Sequence, residues 1–256
     1  MLFIADRFKR TALEVQEYVR LVAAAFRASF SRPWYRYDIV EQFDAIGVQS
    51  LTVVLLTGFF TGAVLALQGG LTLDQFGARP VVGRLVSASM IKNLGPVLTG
   101  LMLCGRVGSG IAAELGSMVV TDQINALRAL GTDPVRKLVV PRMLAGILMA
   151  PVLTIVADFV GIVGGWIVAR FQLQVPSGLY WSSILRGLYM QDVWMGLLKP
   201  FALGFVIVSV ACHVGLRTTG GTQGVGKATT KAVVIGSVGV IAMDFFLTRI
   251  MISLWY

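Results

Sequence analysis

From Ala45 to Leu73 the chain carries no ionisable side chain. A run of this length outlasts any ordinary strand and exceeds the roughly 20 apolar residues that carry a helix across a hydrocarbon core. In lipid every backbone N–H and C=O must be satisfied internally, so a spanning segment this long is helical. It predicts a first membrane helix near residues 48–69, and four further apolar blocks predict helices at about 86–113, 143–169, 193–216 and 232–254. Charged residues make up 14% of the 256, well under the roughly 25% of soluble domains. The fold class is therefore all-α, a polytopic membrane protein. An N-terminal segment, residues 1–44, precedes one transmembrane domain, residues 45–256.

Residues 1–20 are charged and lack the uninterrupted apolar core of a cleavable secretion signal. Instead Ile4, Phe8, Ala12, Val15, Val19, Val22, Phe26 and Phe30 recur every three or four residues. On a helix they share one stripe, with Asp6, Arg7, Lys9, Arg10, Glu14, Glu17, Arg20 and Arg27 opposite. That pattern predicts an interfacial helix lying on the membrane, although a helix packed on a soluble partner would look the same. An aromatic-basic turn follows at Pro33-Trp34-Tyr35-Arg36. Five spans put the termini on opposite sides. With the N-terminus cytoplasmic, inner segments 1–44, 118–142 and 217–231 hold 14 Lys and Arg, against six in outer segments 70–92 and 170–199. That asymmetry favours N-terminus in, C-terminus out.

Several chemistries are excluded early. The net charge of +9 reflects basic residues beside a membrane in a chain this apolar, not a nucleic-acid surface. Cys104 and Cys212 sit inside apolar blocks as small packing residues, so there is no disulfide framework. One histidine, His213, cannot build a multi-histidine metal centre, and no cofactor is called for. Gly221, Gly226 and Lys227 match the G-x-x-x-x-G-K spacing of a nucleotide-binding loop, but Ala228 stands where the magnesium-ligating Ser or Thr belongs. The apolar run before it, Phe201 to Leu216, is no short strand. Ser109, in Gly108-Ser109-Gly110, and His213 could form the dyad of an intramembrane protease. Val107, however, occupies the position where rhomboid proteases carry glycine, and small residues there serve helix packing equally. Gly58-x-x-x-Gly62 and Gly161-x-x-x-Gly165 suit close helix contact without specifying a dimer.

The stretch Gly105 to Gly146 is the most informative. Val120, Ile124, Leu127 and Leu130 form one face of a short helix; Asp122, Gln123, Asn125 and Arg128 form the rest, and Asp133-Pro134 stops it. Such a helix on the cytoplasmic side of a transporter is where a mechanical partner can push, and a plain loop helix resting on headgroups has the same pattern. Around it runs A-A-E-L-G-S-M-x-V-T-x-Q-I-x-A-L-x-A-L-G-x-D-P, followed by V-x-P-R. This resembles the permease subunit of the Mla/Mce lipid transporters, the MlaE (YrbE) family. Four more blocks agree: G-x-x-x-G-x-V-L-x-L-Q-G at Gly58 to Gly69, L-G-P at Leu94 to Pro96, G-V-G-K-A-T-T-K-A-V-V at Gly224 to Val234, and D-F-F-L-T at Asp244 to Thr248.

The resemblance, which covers about residues 40–250, implies a homodimeric ABC-transporter permease of the bacterial inner membrane. Its expected partners are a cytoplasmic ATPase (MlaF-like), a STAS-domain subunit (MlaB-like) and a periplasmic MCE-domain hexamer (MlaD-like). The cargo is phospholipid or a related lipid, moved between the inner membrane and the periplasmic or outer-membrane side. Residues 1–44 then resemble the elbow helix, 118–133 the coupling helix, and Gly220–Lys231 a glycine-rich cytoplasmic turn between the last two helices. Leu65, Thr72, Leu73 and Phe76 match the tail-contacting end of the first helix; Lys92, Asn93 and Leu94 match the pocket edge on the second. Where the family commonly has Arg-Glu, this chain has Lys92-Asn93. Loss of the carboxylate predicts a Lys92 freer to meet a phosphate, as a point charge without arginine's fork.

A lipid site needs an apolar cavity with a few polar groups at its rim. Charges inside spans cost about 2.5–3.5 kcal/mol each on insertion scales, so they pair or line a polar path. Asp158, Lys199 and Asp244 are expected to pair structurally, whereas Arg106 and Glu114, near the cytoplasmic end of the second span, are expected to pair or to anchor at the interface. An ion-coupled secondary transporter working through Asp158 or Asp244 is the alternative. It predicts inverted sequence repeats, which are not evident.

Overall fold

A computed structural model describes residues 2–29 and 35–255. Among them there are helices and turns only. Five helical segments are long and apolar enough to cross a membrane: Arg36–Asp74, Arg79–Val120, Val135–Phe171, Met190–Leu216 and Gly221–Trp255. The number and order match the sequence, while each segment extends beyond the apolar block that announced it. The reason is that polar ends continue the helix past the hydrocarbon-length core.

The chain opens with α1 (Leu2–Ser29) and α2 (Arg36–Ile46). A break at Gly47 and a short 3-10 turn lead into α3 (Leu51–Asp74). The second span is α4 (Val82–Ser89), α5 (Gly95–Leu103) and α6 (Ser109–Val120), joined by π-helical turns at Met90–Leu94 and Cys104–Gly108. The short α7 (Gln123–Ala129) and a third π turn, Val135–Val139, precede α8 (Val140–Phe171). Then come α9 (Ser177–Gly187), α10 (Met190–Leu216) and α11 (Gly221–Trp255).

Glycine decides which helices touch. A Cβ on Gly62 would lie 1.8 Å from the Gly161 carbonyl oxygen, and one on Gly58 would lie 2.7 Å from that of Ala157. The two small-residue motifs of α3 and α8 therefore face each other within one chain and are not spare surfaces for a second copy. Gly204 and Gly146 bring α10 onto α8 in the same way. Pro151 lies inside α8 and leaves the Ile147 carbonyl without its helical donor.

Helix α1 has more faces than the sequence suggested. Ala25 is buried in the main core, with Leu21 and Ala28 packed beside it. Tyr18 shares a 2.8 Å hydrogen bond with Ser209 of α10. Glu17 pairs with Arg217 at 2.6 Å, and Glu14 with Lys231 at 3.5 Å. Val15, Val19 and Phe26 of the apolar stripe stay exposed. So the stripe is left for surroundings outside the chain, while the opposite, charged side docks on α10 and α11. The Ile4, Phe8 and Phe30 side chains of the stripe, and Pro33-Trp34 of the turn, lie outside the described residues.

The glycine-rich segment behaves differently from expectation. The turn between the last two spans is Arg217–Gly220, where Gly220 has φ +90° and Gly221 φ +66°. From Gly221 onward the chain is helical, so Gly224, Gly226 and Lys227 belong to the opening turns of α11. Gly224 is required by proximity: a Cβ there would lie 1.9 Å from the Thr219 carbonyl oxygen. A nucleotide-binding loop needs a strand before it and an irregular loop over the phosphates; this segment has neither.

Candidate functional site

A polar cluster joins the second, fourth and fifth spans. Its origin is local. Pro96 has no N–H, so it cannot donate to the carbonyl of Lys92 four residues earlier. The π turn at Met90–Leu94 absorbs the mismatch by letting Gly95 N–H reach the Met90 carbonyl, and the Lys92 carbonyl is filled from another helix. Lys199 of α10, with its side chain 0% exposed, donates to the Lys92 carbonyl oxygen at 2.7 Å and to Asn93 Oδ1 at 3.0 Å. Its ammonium lies 3.1 Å from Asp244 Oδ1 of α11. One buried cation thus ties three spans together through two charge-assisted hydrogen bonds and an ion pair.

The expectation of an unencumbered Lys92 is corrected here. Lys92 Nζ lies 2.7 Å from Asp192 Oδ1, and the Asp192 side chain is buried. The carboxylate missing at position 93 is supplied instead from the first turn of α10. Asp192 also accepts the Tyr189 backbone N–H at 3.3 Å, closing a capping box. Sequence reasoning passed over Asp192, although a lone acid at the start of an apolar span was its signal.

Lys92 and Asn93 line a cleft of about 330 Å³ with Met195, Thr248 and Ile252. The ammonium of Lys199 can only donate, so Asn93 must turn its carbonyl toward it and keep its amide NH2 for other acceptors. The cleft then presents a cation, an amide donor and apolar walls. The other expected lipid contacts go elsewhere within one chain. Leu65, Leu73 and Leu94 pack around a second core centred on Val86, Met90 and Tyr180. Thr72 is exposed and bonds back to the Gln68 carbonyl, and Phe76 is 78% exposed at the far end of α3.

The remaining buried charges divide. Asp244 pairs as expected. Asp158 is buried, and its Oδ1 has no hydrogen-bond partner among the described residues; it lies against the Cα of Gly95, where a Cβ would come within 1.8 Å of it. Glu114 pairs with Arg142 at 2.6 Å, which links the two ends of the central motif and ties α6 to α8. Arg106 anchors instead to the break in the first span, donating to the Ala45 carbonyl, Ser50 Oγ and Gln49 Oε1 at 2.7–3.1 Å. Ser109 donates to the Gly105 and Arg106 carbonyls, while His213 packs edge-on against Tyr18. No serine–histidine dyad is formed.

The short helix α7 hangs beneath this frame. Asp122 precedes it in a left-handed conformation, φ 57°, and accepts the Asn125 amide at 3.0 Å. Ile124 is 6% exposed and Leu127 packs beside it on the main core. Gln123, Asn125 and Arg128 are exposed, and Leu130 is 80% exposed. The face expected from sequence is therefore split: its inner half holds α7 to the spans, while Leu130 projects away.

Residues 39–250 match the MlaE permease family. The chain belongs to the MlaE permease family. It is 38% identical over 247 residues to a probable ABC transporter permease protein of Rickettsia conorii, covering 96% of this chain and 95% of that one. It is 38% identical over 230 residues to the intermembrane phospholipid transport system permease protein MlaE of Haemophilus influenzae, covering 88% of each. The chloroplastic protein TRIGALACTOSYLDIACYLGLYCEROL 1 of Arabidopsis thaliana is 34% identical over 211 residues, which cover 82% of this chain and 60% of that protein. An MlaE-family chain with five membrane-length helices is a multi-pass membrane protein and a transport subunit.

Proposed function

We propose that this chain works as a homodimer, the membrane half of an ABC transporter that moves phospholipid between the inner membrane and the periplasmic side. ATP is hydrolysed in a separate MlaF-like subunit, with MlaB-like and MlaD-like subunits completing the assembly. The observation that carries this reading is the cleft at Lys92 and Asn93, where a cation and an amide donor meet apolar walls beside the start of α10 and the end of α11. A phosphate at Lys92 competes with Asp192, and the cluster of Lys92, Lys199, Asp192 and Asp244 is formally neutral. It holds a headgroup weakly, as a transfer path requires, and does not store it.

Force enters through α7. Because Ile124 and Leu127 bind it to the permease, a push on exposed Leu130, Arg128, Asn125 and Gln123 is passed directly to the spans. Reconstitution with the ATPase in proteoliposomes tests this. Leu130→Glu is expected to leave thermal unfolding within a few degrees of wild type while abolishing the permease-stimulated rise in ATP hydrolysis and lipid transfer, because a surface change costs the fold little. Undiminished stimulation would reject α7 as the lever. Transfer that follows a proton gradient and ignores ATP would favour an ion-coupled carrier built on Asp158.

A further inference from the structure

The end of the molecule away from α7 carries a second basic cleft. Helix α9 lies across it between the third and fourth spans, packed tightly on α4: a Cβ on Gly83 would lie 2.5 Å from both Ser183 Oγ and the Tyr180 carbonyl oxygen. The Arg84 backbone N–H donates to Ser183 Oγ at 3.2 Å. Between the two helices is a cleft of about 260 Å³ lined by Arg84, Arg186, Ser182, Ser183, Leu179 and Val81, among others.

Three features of this cleft point to an anionic, amphipathic ligand. First, Arg84 and Arg186 are both exposed on one small hollow, and among the described residues neither guanidinium has a carboxylate or other hydrogen-bond partner. Arg79, close by in sequence, is by contrast neutralised by Asp74. Two exposed guanidiniums opening onto one hollow offer an anion two cationic donors, and the guanidinium fork suits phosphate oxygens in particular. Second, Gly187 makes room for Arg84: a Cβ there would lie 2.3 Å from Arg84 Cγ and 2.8 Å from its Nε. The arginine stem is laid across bare backbone, which fixes the direction of its head. Third, the surroundings set the depth. Trp181, Tyr189 and Trp194 are exposed around α9 and the start of α10, and such aromatic residues sit at the headgroup level of a bilayer. Leu185, 82% exposed, and exposed Leu179 point apolar surface beside the arginines.

We propose that Arg84 and Arg186 together bind the headgroup phosphate of an anionic phospholipid in the leaflet away from the N-terminal helix. The tails of that lipid lie along Leu179 and Leu185. This site is separate from the Lys92 cleft and binds without nucleotide, so its failure in the test below leaves the transport reading untouched.

The test is native mass spectrometry of the purified full chain in non-ionic detergent, with phosphatidylglycerol and phosphatidylcholine added in equal amounts. Wild type is expected to retain one more phosphatidylglycerol than Arg84→Gln/Arg186→Gln, whose occupancy at that position falls at least about tenfold, the loss of a single charge-assisted contact being already of that size. Phosphatidylcholine uptake stays level. Arg84→Lys/Arg186→Lys keeps part of the binding. Gly187→Val removes it with no change of charge, by displacing the Arg84 stem. Both arginines are exposed, so the glutamine variant keeps its fold, verified by unchanged melting. Equal phosphatidylglycerol counts in wild type and Arg84→Gln/Arg186→Gln overturn the proposal. So does displacement of the lipid by an equal concentration of inorganic phosphate, which would mark a site for the free ion.

Discussion

Lys199 shows what one side chain can do in a span. It satisfies the Lys92 carbonyl that Pro96 cannot, faces Asp244, and turns the amide of Asn93. Removing one member of a buried ion pair costs about 3–5 kcal/mol because the other charge is stranded. Lys199→Met should therefore lower the melting temperature in detergent more than Asp244→Asn does. Adding Asp244→Asn to Lys199→Met should restore only part of the loss, since the Lys92 carbonyl and Asn93 stay unsatisfied in the double variant. Strictly additive losses would show that the pair contributes nothing. The charges themselves were legible: a Lys or Asp in an apolar block calls for a partner, which Lys199 and Asp244 find in each other and Asp158 Oδ1 does not find among the described residues. Which partner was not. Lys92 meets Asp192 across 100 positions of sequence, and no local pattern encodes a contact at that separation.

At the scale of elements, the five spans follow from the length of their apolar blocks, and glycine fixes their neighbours. Gly62 and Gly226 make a sharp contrast. Gly62→Val drives a side chain into the Gly161 carbonyl oxygen, backbone against backbone, and overpacking of this kind costs about 1–3 kcal/mol. Gly226, in the opening turns of α11, has nothing within 4 Å of a new Cβ. There Gly226→Ala is expected to stabilise the chain by up to about 1 kcal/mol through helix propensity alone. Melting curves of the two variants should shift in opposite directions; a loss in Gly226→Ala would show that helix propensity does not govern this position. The sequence misled here because four glycines in seven residues read as a loop, while only Gly220 and Gly221 take turn conformations. The π turns were equally hidden. Of the three, two have a sequence cause, Pro96 just after Met90–Leu94 and Pro141 just after Val135–Val139, while Cys104–Gly108 has no proline behind it.

Across the whole molecule, charge has a polarity that the fold makes physical. By sequence, segments 1–44, 118–142 and 217–231 hold 14 Lys and Arg, against four in 70–92 and 170–199 once Lys92 and Lys199, held in the span cluster, are set aside. Positive residues are retained on the cytoplasmic side during insertion, so α7 is expected inside the cell and α9 outside. Exposed Val15, Val19 and Phe26 of α1 would then lie in the inner headgroup layer. Both natural cysteines are buried, which leaves the wild-type chain a quiet background for labelling. In intact cells stripped of their outer membrane, Gln174→Cys should react with a membrane-impermeant maleimide at once. Asn125→Cys and Gln223→Cys, both exposed, should react only after the membrane is permeabilised. The reverse pattern would put α7 on the side without ATP, where no motor could reach it, and would remove the basis for a coupling helix altogether.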